Sequence, residues 1–535
     1  MTKKLFSLLL ALVLALTMLP MAFADEEPVE LSIVVRRRDT DITEDFHEKH
    51  WVQQTEAALN VKFTFVEISE SDYATEIAAI LASGKLPDFF MVGNSMKEAL
   101  VTQNNKLWKT FTEEEIREKI PNAAAVYDAY IADWVEYMTY PDGNIYSLPS
   151  GFLTSYMHTT DKGIMYINKT WLDNLGLEIP TTAEELLDVL RAFRDQDADG
   201  DGDPTNEIPY DFCEAFFASK IEYLAWMWGL PVTDGVLYNI TDEGNVESAV
   251  DTEAYRAFLE YAHTLIVEGL CSVDGFTQTY DQWTANLNSM KVGFFTGWGP
   301  CNYITNSEDF LQMTGILTPA AEGYTARMYK ANPVRANRNG FIISKECKNV
   351  DKALEVWNYW SDVEMALTVT NGERELFWDW TDDGDYNFRG GNNVEQITDE
   401  RLIEWGYENL VGKTYTGSNT VGYVNNGPLA PHAESYDENE LAAWGTQRYV
   451  AMKALDAAGQ FAPAMNADIV AADKQEEYDF ATDGLGDYVK QFVADSVKNG
   501  VTDNTWNAFK AGLSTYGYDF YVEFWNAKYH HALND

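Results

Sequence analysis

The residues best suited to chemistry lie in an acidic loop that runs from Asp197 to Glu207. Aspartates occupy its first, third, fifth and seventh positions, and Gly202 occupies the sixth. Alternate side chains can turn toward one hard cation, and glycine at position six allows the sharp bend of an EF-hand-type calcium loop. The sequence therefore predicts a Ca²⁺ site. Its expected ligands are the side chains of Asp197, Asp199 and Asp201, the backbone of Asp203, and Asn206 or Glu207.

This loop departs from a complete EF-hand in two respects. Ile208 stands at the twelfth position, where the EF-hand has a bidentate glutamate, and Pro204 and Pro209 interrupt any following helix. The alternative is a solvated acidic turn, but four aspartates this close together would repel one another strongly without a cation. We therefore expect the ion, in a structural and not a catalytic role.

The elements before the loop can be predicted from local patterns. Ile164 to Ile167 are apolar and indicate a short buried strand, and the helix after it should end at Gly176. Thr182 and Glu185 have the spacing of a capping box that begins a second helix. The loop should therefore connect this second helix to the next strand.

The same residues resemble a known signature, that of family 1 of the extracellular solute-binding proteins. The resemblance rests on Tyr166-Ile167-Asn168-Lys169, Trp171-Leu172-Asp173, Leu175-Gly176-Leu177, Pro180-Thr181-Thr182 and Glu184-Glu185. The acidic loop with its Glu-Ile-Pro ending is similar to the calcium loop of the alginate-oligosaccharide-binding proteins, although it is one residue longer. The extra residue leaves Asn206 and Glu207 as alternative ligands. The resemblance implies the capture subunit of an ABC importer, which binds an oligosaccharide and delivers it to membrane permease subunits.

The fold that this resemblance implies is α/β, with two lobes of the type II periplasmic-binding-protein kind, a hinge and a ligand cleft between the lobes. A length of 535 residues also favours two domains. We expect an N-terminal lobe from residues 28–160 and 320–370. The C-terminal lobe should comprise residues 161–319 and 371–535, with the calcium loop at 197–207.

Candidates for ligand contact follow predicted strand ends, because ligands of open α/β sheets bind there. Trp298 follows a strand at 291–297, and the alternative for it is a place in the core. Trp226 and Trp228 lie two residues apart, so one of them should point outward from a helix. The full predicted set is Asn94, Ser95, Trp226, Trp228, Trp298, Arg338 and Glu373.

Two members of that set have a different basis. The resemblance implies that Glu373 lies on a loop that reaches the cleft. Arg338 is a candidate for binding an anionic sugar, and the alternative for it is ordinary solvated surface. The neighbouring Arg335 and Lys330 belong to the same basic stretch.

Composition narrows the classes of partner. A formal net charge of −47 argues against nucleic acid and anionic membrane surfaces. Aromatic residues make up 14% of the chain, which suits stacking on the apolar faces of sugars. We expect a monomer. The cysteines are Cys213, Cys271, Cys301 and Cys347, whose spacing does not predict zinc and leaves three disulfide pairings or free thiols open.

The N-terminus has the features of a signal peptide over residues 1–24. Two lysines precede an apolar run, and Ala22-Phe23-Ala24 forms a small-x-small cleavage site before Asp25. No cysteine lies near that site, so the lipid anchor that many members of the family carry is not expected. These features predict a secreted, extracytoplasmic protein that associates with the cell surface.

Catalytic motifs are not recognisable, and we expect a protein that is not an enzyme. The sequence has no nucleophile elbow and no phosphate-binding loop. The alternative function is a secreted, calcium-stabilised, glycan-active enzyme such as a lyase or hydrolase. Binding without turnover would separate the two functions.

Overall fold

The computed structural model describes residues 27–37, 45–69, 72–92, 96–131, 133–151, 159–160, 162–233, 236–241, 245–331, 336–376, 378–380, 386–388, 399–404, 441, 445–463, 475–479 and 484–534. The predicted signal peptide at 1–24 and the candidates Asn94, Ser95 and Arg335 lie outside these residues.

Strands occur along most of the described chain. They are β1 Val29–Arg37, β2 Val61–Ser69, β3 Phe89–Met91, β4 Leu148–Gly151, β5 Ile164–Asn168, β6 Ile208–Asp211, β7 Tyr238–Ile240, β8 Val246–Ser248, β9 Val292–Gly297, β10 Met313–Gly315, β11 Ala336–Ile343, β12 Trp378–Trp380 and β13 Tyr386–Phe388.

Helices separate most of these strands. The α-helices are His50–Leu59, Tyr73–Ser83, Glu98–Gln103, Glu113–Lys119, Pro121–Tyr130, Trp134–Met138, Lys169–Leu175, Ala183–Asp195, Glu253–Val267, Tyr280–Asn288, Ser307–Phe310, Val350–Trp360, Val363–Asn371, Asp399–Glu404, Thr446–Ala457, Gln475–Asp479, Leu485–Asn499, Asp503–Thr515 and Tyr518–Asn534. Shorter 3₁₀ segments are Phe46–Glu48, Asn105–Leu107, Ile221–Trp228, Val273–Phe276 and Pro300–Asn302.

The first sheet has the strand order β2-β1-β3-β11-β4. β1 pairs in parallel with β2 and β3, which requires helical crossovers such as His50–Leu59 between them. Along β1 the side chains of Ile33 and Val35 join one buried cluster and Val34 joins another. Because successive side chains of a strand point to opposite faces, both faces of this sheet are covered.

The second sheet has the order β10-β5-β9-β6. β5 is antiparallel to β10 and β9, whereas β6 is parallel to β9, with Ile208 opposite Val292. Met165 and Ile167 of β5 point into one buried cluster, and Ile164 and Tyr166 point into another. This sheet is therefore also buried on both faces, as expected for an α/β fold.

The chain passes between the two sheets at one end of the strands of each sheet, and we call this end the crossing edge. It leaves the carboxyl end of β4 for the amino end of β5, and later leaves the carboxyl end of β10 for the amino end of β11. The two crossing segments meet where the backbone amide of Ala331 donates to the carbonyl of Thr159 at 2.8 Å. The strand pairings place the carboxyl ends of β3 and β9 at these same crossing edges.

The second crossing segment stays with the second sheet's lobe beyond residue 320. The amides of Ala321 and Arg327 donate to Met227 and Trp226, each at 2.9 Å, and Met328 pairs with the chain near Phe461. Later in the chain, Arg374 contacts Glu364 and Asp379, so Arg374 lies beside the helix Val363–Asn371. The lobe boundaries at 320 and 371 stay predictions.

Candidate functional site

The acidic loop lies at the amino ends of β6 and β9. The helix before it, Ala183–Asp195, begins with the predicted capping box, in which Thr182 and Glu185 each bond to the other's backbone amide. Glu185 binds the helix N-terminus, and the backbone and side-chain hydrogen bonds from Thr181 lower the pKa of its carboxyl group. β6 follows the loop directly, so both ends of the loop are fixed by regular structure.

Hydrogen bonds within the loop turn its aspartates inward. The amide of Gly202 donates to Asp197 Oδ2 at 3.0 Å, that of Asp201 to Asp199 Oδ1 at 3.0 Å, and that of Asp203 to Asp201 Oδ1 at 2.8 Å. Gly202 has a φ of 93°, which a residue with a Cβ rarely adopts. The glycine at position six therefore makes the bend that the sequence predicts.

The donor set fits a calcium ion. One carboxylate oxygen from each of Asp197, Asp199 and Glu207 lies within 4.8 Å of the other two. Oxygens around one Ca²⁺ at 2.3–2.6 Å are separated by up to roughly 5 Å. In addition, Asp197 Oδ1, Asn206 Oδ1 and Glu207 Oε2 are shielded from solvent and have no hydrogen-bond donor. Shielded acceptors without donors are unfavourable, and a cation would satisfy them.

A lysine from outside the loop also contacts these carboxylates. Lys291 Nζ lies 2.5 Å from Asp199 Oδ2 and 2.6 Å from Asp201 Oδ2. Its ammonium group, with hydrogen bonds from Asn206 and the Asp203 amide, lowers the pKa of Asp201 to about 2. The sequence interpretation missed Lys291 because it is 84 residues beyond the end of the loop, from Glu207 to Lys291.

Lys291 precedes β9, and Trp298 follows the carboxyl end of β9, at the crossing edge. Its amide donates to Tyr303 Oη at 2.7 Å, and its carbonyl accepts from Tyr166 Oη at 2.8 Å. Burial raises the pKa of Tyr166, so its hydroxyl group stays a donor. A Cβ on the preceding Gly297 would lie 2.8 Å from the Tyr303 ring. The backbone of Trp298 is thus held closely while its ring remains partly exposed.

Arg448 also holds the backbone of Trp298. The Arg448 side chain is buried, and its guanidinium donates to the carbonyls of Trp298 at 2.7 Å, Thr160 at 2.8 Å and Lys162 at 3.0 Å. The guanidinium carbon also lies 5.7 Å from the Trp298 ring centroid. Arg448 therefore connects the first crossing segment to the end of β9.

Phe217 extends the aromatic surface beside Trp298. The two ring centroids are 5.7 Å apart in an edge-to-face arrangement, and Phe217 is 41% exposed. Lys162 Nζ lies 5.8 Å from the Phe217 ring and 5.9 Å from the Tyr329 ring. These residues form what we call the aromatic edge: Lys162, Phe217, Trp298 and Tyr329. It combines exposed ring area with a cation.

The sequence interpretation identified only Trp298 of this group. The adjacent pair Phe216-Phe217 could have indicated Phe217, since Phe216 is partly buried against the core and Phe217 is exposed. Arg448 gave no signal, because it lies between Thr381 and Gly459, where the family resemblance is weak.

Trp226 and Trp228 are placed differently from the prediction that one points outward. Trp226 has no exposed surface, stacks on Tyr223 at 4.6 Å and donates to the Val232 carbonyl at 2.9 Å. Trp228 is 7% exposed and packs on Tyr261. The 3₁₀ segment that carries them lies between two buried clusters, so both of its faces are core.

Arg338 and Glu373 are also buried, which argues against the solvated surface that was the alternative for Arg338. Arg338 donates to the carbonyl of Tyr137 at 2.7 Å, lies over that residue's ring at 4.4 Å, and has Glu98 at 3.8 Å. Glu373 is 2% exposed and lies 3.6 Å from His50. Each side chain is packed into the first lobe, and a ligand contact of either residue stays a prediction.

The four cysteines are buried free thiols, so none of the three possible disulfide pairings is formed. Among the described residues, no helix has both the length and the apolar character needed to cross a membrane.

Comparison with known proteins agrees with this architecture. The sequence profile of the bacterial extracellular solute-binding proteins matches residues 41–366. The fructooligosaccharide ABC transporter substrate-binding protein FusA of Streptococcus pneumoniae serotype 4 is 26% identical over 326 residues, which are 60% of this chain and 58% of that protein. The match therefore spans less than two thirds of that relative.

Solved structures share the fold over nearly the whole chain. An extracellular solute-binding protein from Bifidobacterium longum subsp. infantis has a TM-score of 0.77 at 20% identity, with 94% of this chain and 98% of that chain covered. An EF-hand mutant of S. pneumoniae FusA in complex with fructo-nystose has a TM-score of 0.73 at 20% identity, covering 95% and 100%. The alginate-binding protein without calcium ion gives 0.65 at 16% identity, covering 95% and 99%.

The profile covers more than half of the chain, and the two α/β sheets connected at their crossing edges match the fold of these structures. The protein belongs to the bacterial extracellular solute-binding proteins, a family of extracytoplasmic, two-lobed binding proteins.

Proposed function

We propose that this protein captures an oligosaccharide outside the cytoplasm and delivers it to the permease subunits of an ABC importer. The observation that carries the carbohydrate assignment is the aromatic edge at the carboxyl end of β9. Phe217 and Trp298 offer partly exposed rings, and the hydrogen bonds from Arg448 and Tyr166 fix the backbone of Trp298. Rigid aromatic faces suit the apolar faces of sugar rings, while nearby polar groups orient the hydroxyls.

The position of this edge supports binding between the lobes. Ligands of open α/β sheets bind beyond the carboxyl ends of the strands. Here those ends, in β3 and β9, lie at the edges where the chain crosses between sheets. We infer a hinge at the crossing segments and closure of the lobes on the ligand. The contacts favour a first lobe of about residues 28–160 and 332–380, with the second lobe formed by the intervening and following residues.

We propose that the acidic loop binds one structural Ca²⁺. Asp197, Asp199, Asp201 and Glu207 would supply carboxylate oxygens, Asn206 an amide oxygen and Asp203 a backbone oxygen. A bound ion would neutralise the clustered carboxylates and satisfy the shielded oxygens of Asp197, Asn206 and Glu207. Two of the solved structures bear on this, one being an EF-hand mutant and the other a protein without its calcium ion. The loop lies at the opposite end of β9 from Trp298, so we assign it no contact with the sugar.

The mature protein in this proposal begins at Asp25, after removal of the signal peptide at residues 1–24. The protein itself carries out no reaction on the sugar, and the importer's ATPase supplies the energy for transport.

A thermal-shift screen against oligosaccharides tests the function. A ligand of the folded state raises the melting temperature by an amount that grows with its concentration. The panel includes kestose and nystose, because FusA is named for fructo-oligosaccharides, together with milk oligosaccharides, alginate oligomers and unbranched glucans. We expect a saturable shift with at least one oligosaccharide, and chromatography of that sugar should show no cleavage products. Product formation would instead support the glycan-active enzyme, and a panel without any shift would contradict the sugar assignment.

A further inference from the structure

We propose that Lys291 is the internal counter-cation of the acidic loop, and that a divalent ion must displace its ammonium group in order to bind. This inference rests on the proposed calcium site. Lys291 Nζ lies 2.5 Å from Asp199 Oδ2 and 2.6 Å from Asp201 Oδ2, so one positive charge already bridges two of the five carboxylates. Lys291 therefore sets the affinity of the loop for calcium.

The hydrogen bonds of Asp199 and Asp201 show why the two cations compete. Asp199 Oδ1 accepts from the Asp201 amide, and Asp201 Oδ1 accepts from the Asp203 amide. These bonds hold the turns of the loop. The remaining oxygen of each side chain is the one that Lys291 occupies, and Asn206 also donates to Asp201 Oδ2 at 2.9 Å. An ion that takes these Oδ2 atoms must replace the ammonium group.

The acceptors that lack donors lie on other residues of the loop. Asp197 Oδ1, Asn206 Oδ1 and Glu207 Oε2 are shielded and unpartnered, and none of them is held by Lys291. Lysine therefore satisfies only one side of the loop. A divalent ion could bridge both sides, since the oxygens of Asp197, Asp199 and Glu207 lie within 4.8 Å of one another.

The position of Lys291 allows its side chain to leave while its backbone stays in place. It immediately precedes β9, and its carbonyl accepts from the Ile208 amide at 2.7 Å. Its side chain is 29% exposed, so part of the side chain already lies in water. A displaced lysine would thus be hydrated at little cost, and the strand would keep its register.

Removal of the lysine should have opposite effects on the two forms of the protein. Without calcium, Lys291→Met leaves the carboxylates of Asp199 and Asp201 uncompensated, which should lower the melting temperature. With calcium, the variant has lost both a competitor and a positive charge near the ion. Its Kd for calcium should therefore be about tenfold lower than that of the wild type. If Lys291 served only as a structural ion pair, its removal would lower the stability of both forms without tightening calcium binding.

Calorimetric titration of chelator-treated full-length protein with CaCl₂ tests this inference. Lys291→Met is compared with Lys291→Arg, which retains the charge, and with Lys169→Met, which removes an exposed lysine paired with Asp173. We expect tighter binding in Lys291→Met alone, with the other two close to wild type. If Lys291→Met does not fold without calcium, Lys291→Gln replaces it, with the same expected direction.

The outcomes separate this inference from the calcium assignment itself. If the wild type binds calcium and the uncharged Lys291 variants have an equal or higher Kd for calcium, the role of Lys291 is overturned. The calcium site itself then stands. A wild type that shows no calcium binding overturns both proposals.

Discussion

The guanidinium of Arg448 donates to the carbonyl of Trp298 at 2.7 Å and lies 5.7 Å from that residue's ring. The same guanidinium donates to Thr160 in the first crossing segment at 2.8 Å. One buried side chain thus connects the most prominent candidate for sugar stacking with the chain that passes between the lobes. Movement of the crossing segment would therefore shift Trp298. A binding protein that closes on its ligand requires such a coupling between the hinge and the site.

Replacement of Arg448 should affect binding and stability together. Arg448→Ala removes this donor from the carbonyls of Thr160, Lys162 and Trp298. The Trp298 carbonyl keeps Tyr166 as a donor, whereas the buried Thr160 carbonyl loses a hydrogen bond, at a cost of about 1–3 kcal/mol. We expect a lower melting temperature and an oligosaccharide Kd about tenfold higher or more. Arg448→Lys, with fewer donors, should recover part of both properties.

The matched control for Arg448 is Arg256→Ala, which removes an arginine that pairs with Glu260 and Asp503 at the surface. Surface ion pairs contribute about 0–1 kcal/mol, so both readouts should stay near wild type. Unchanged sugar affinity in a folded Arg448→Ala protein would show that Arg448 does not position the site.

Trp298→Ala should weaken sugar binding with little loss of fold. The ring is partly exposed, so its truncation removes stacking area without opening a large core cavity. We expect the Kd to rise by about 10- to 100-fold, measured by calorimetry with the strongest ligand of the screen. Tyr516→Ala is the control, because Tyr516 is 37% exposed, stacks on Tyr488 and is not part of the aromatic edge. Unfolding of Trp298→Ala at room temperature would place this residue in the core and remove it from the site.

Calcium should stabilise the folded protein. EDTA is expected to lower the melting temperature and added calcium to restore it, since an ion at 100 times its Kd contributes about 2.7 kcal/mol. The double substitution Asp199→Ala and Asp201→Ala should abolish this response. Sugar affinity of the folded double variant should stay nearly unchanged, because the loop and Trp298 lie at opposite ends of β9. Melting curves indifferent to both EDTA and calcium would leave only a solvated acidic turn.

Cleavage of the signal peptide can be measured directly by mass spectrometry of the protein secreted from its native host. The expected first residue of the mature chain is Asp25, because Ala22-Phe23-Ala24 has the small residues that signal peptidase accepts. Detection of intact Met1 in the mature extracellular protein would contradict this prediction.

Local sequence patterns predicted much of the second lobe's framework. The capping box of Thr182 and Glu185, the helix end at Gly176 and the strand before Trp298 are all present. These features depend on residues close in sequence, so their spacing is informative. The bend at Gly202 was also predictable from neighbouring residues.

Contacts between distant residues were not predictable in this way. Trp226 and Trp228 were expected to divide between core and cleft, but buried clusters cover both faces of their segment. Arg338 pairs with Tyr137 and Glu98 about 200 residues or more away, as the numbering shows. Arg448 and Lys291 acquire their roles only through the fold, since their partners come from other strands and loops.

Hydrogen–deuterium exchange with and without the strongest oligosaccharide of the screen tests the central claim most directly. The proposed function predicts that saturating ligand slows exchange on both sides of the crossing edge. Protection should appear around Trp298 and Phe217 in the second lobe and at the carboxyl ends of β1 and β4 in the first lobe, while the acidic loop is unaffected. Protection confined to one lobe, or absent at both of these edges under saturating ligand, would contradict capture of a sugar between the lobes.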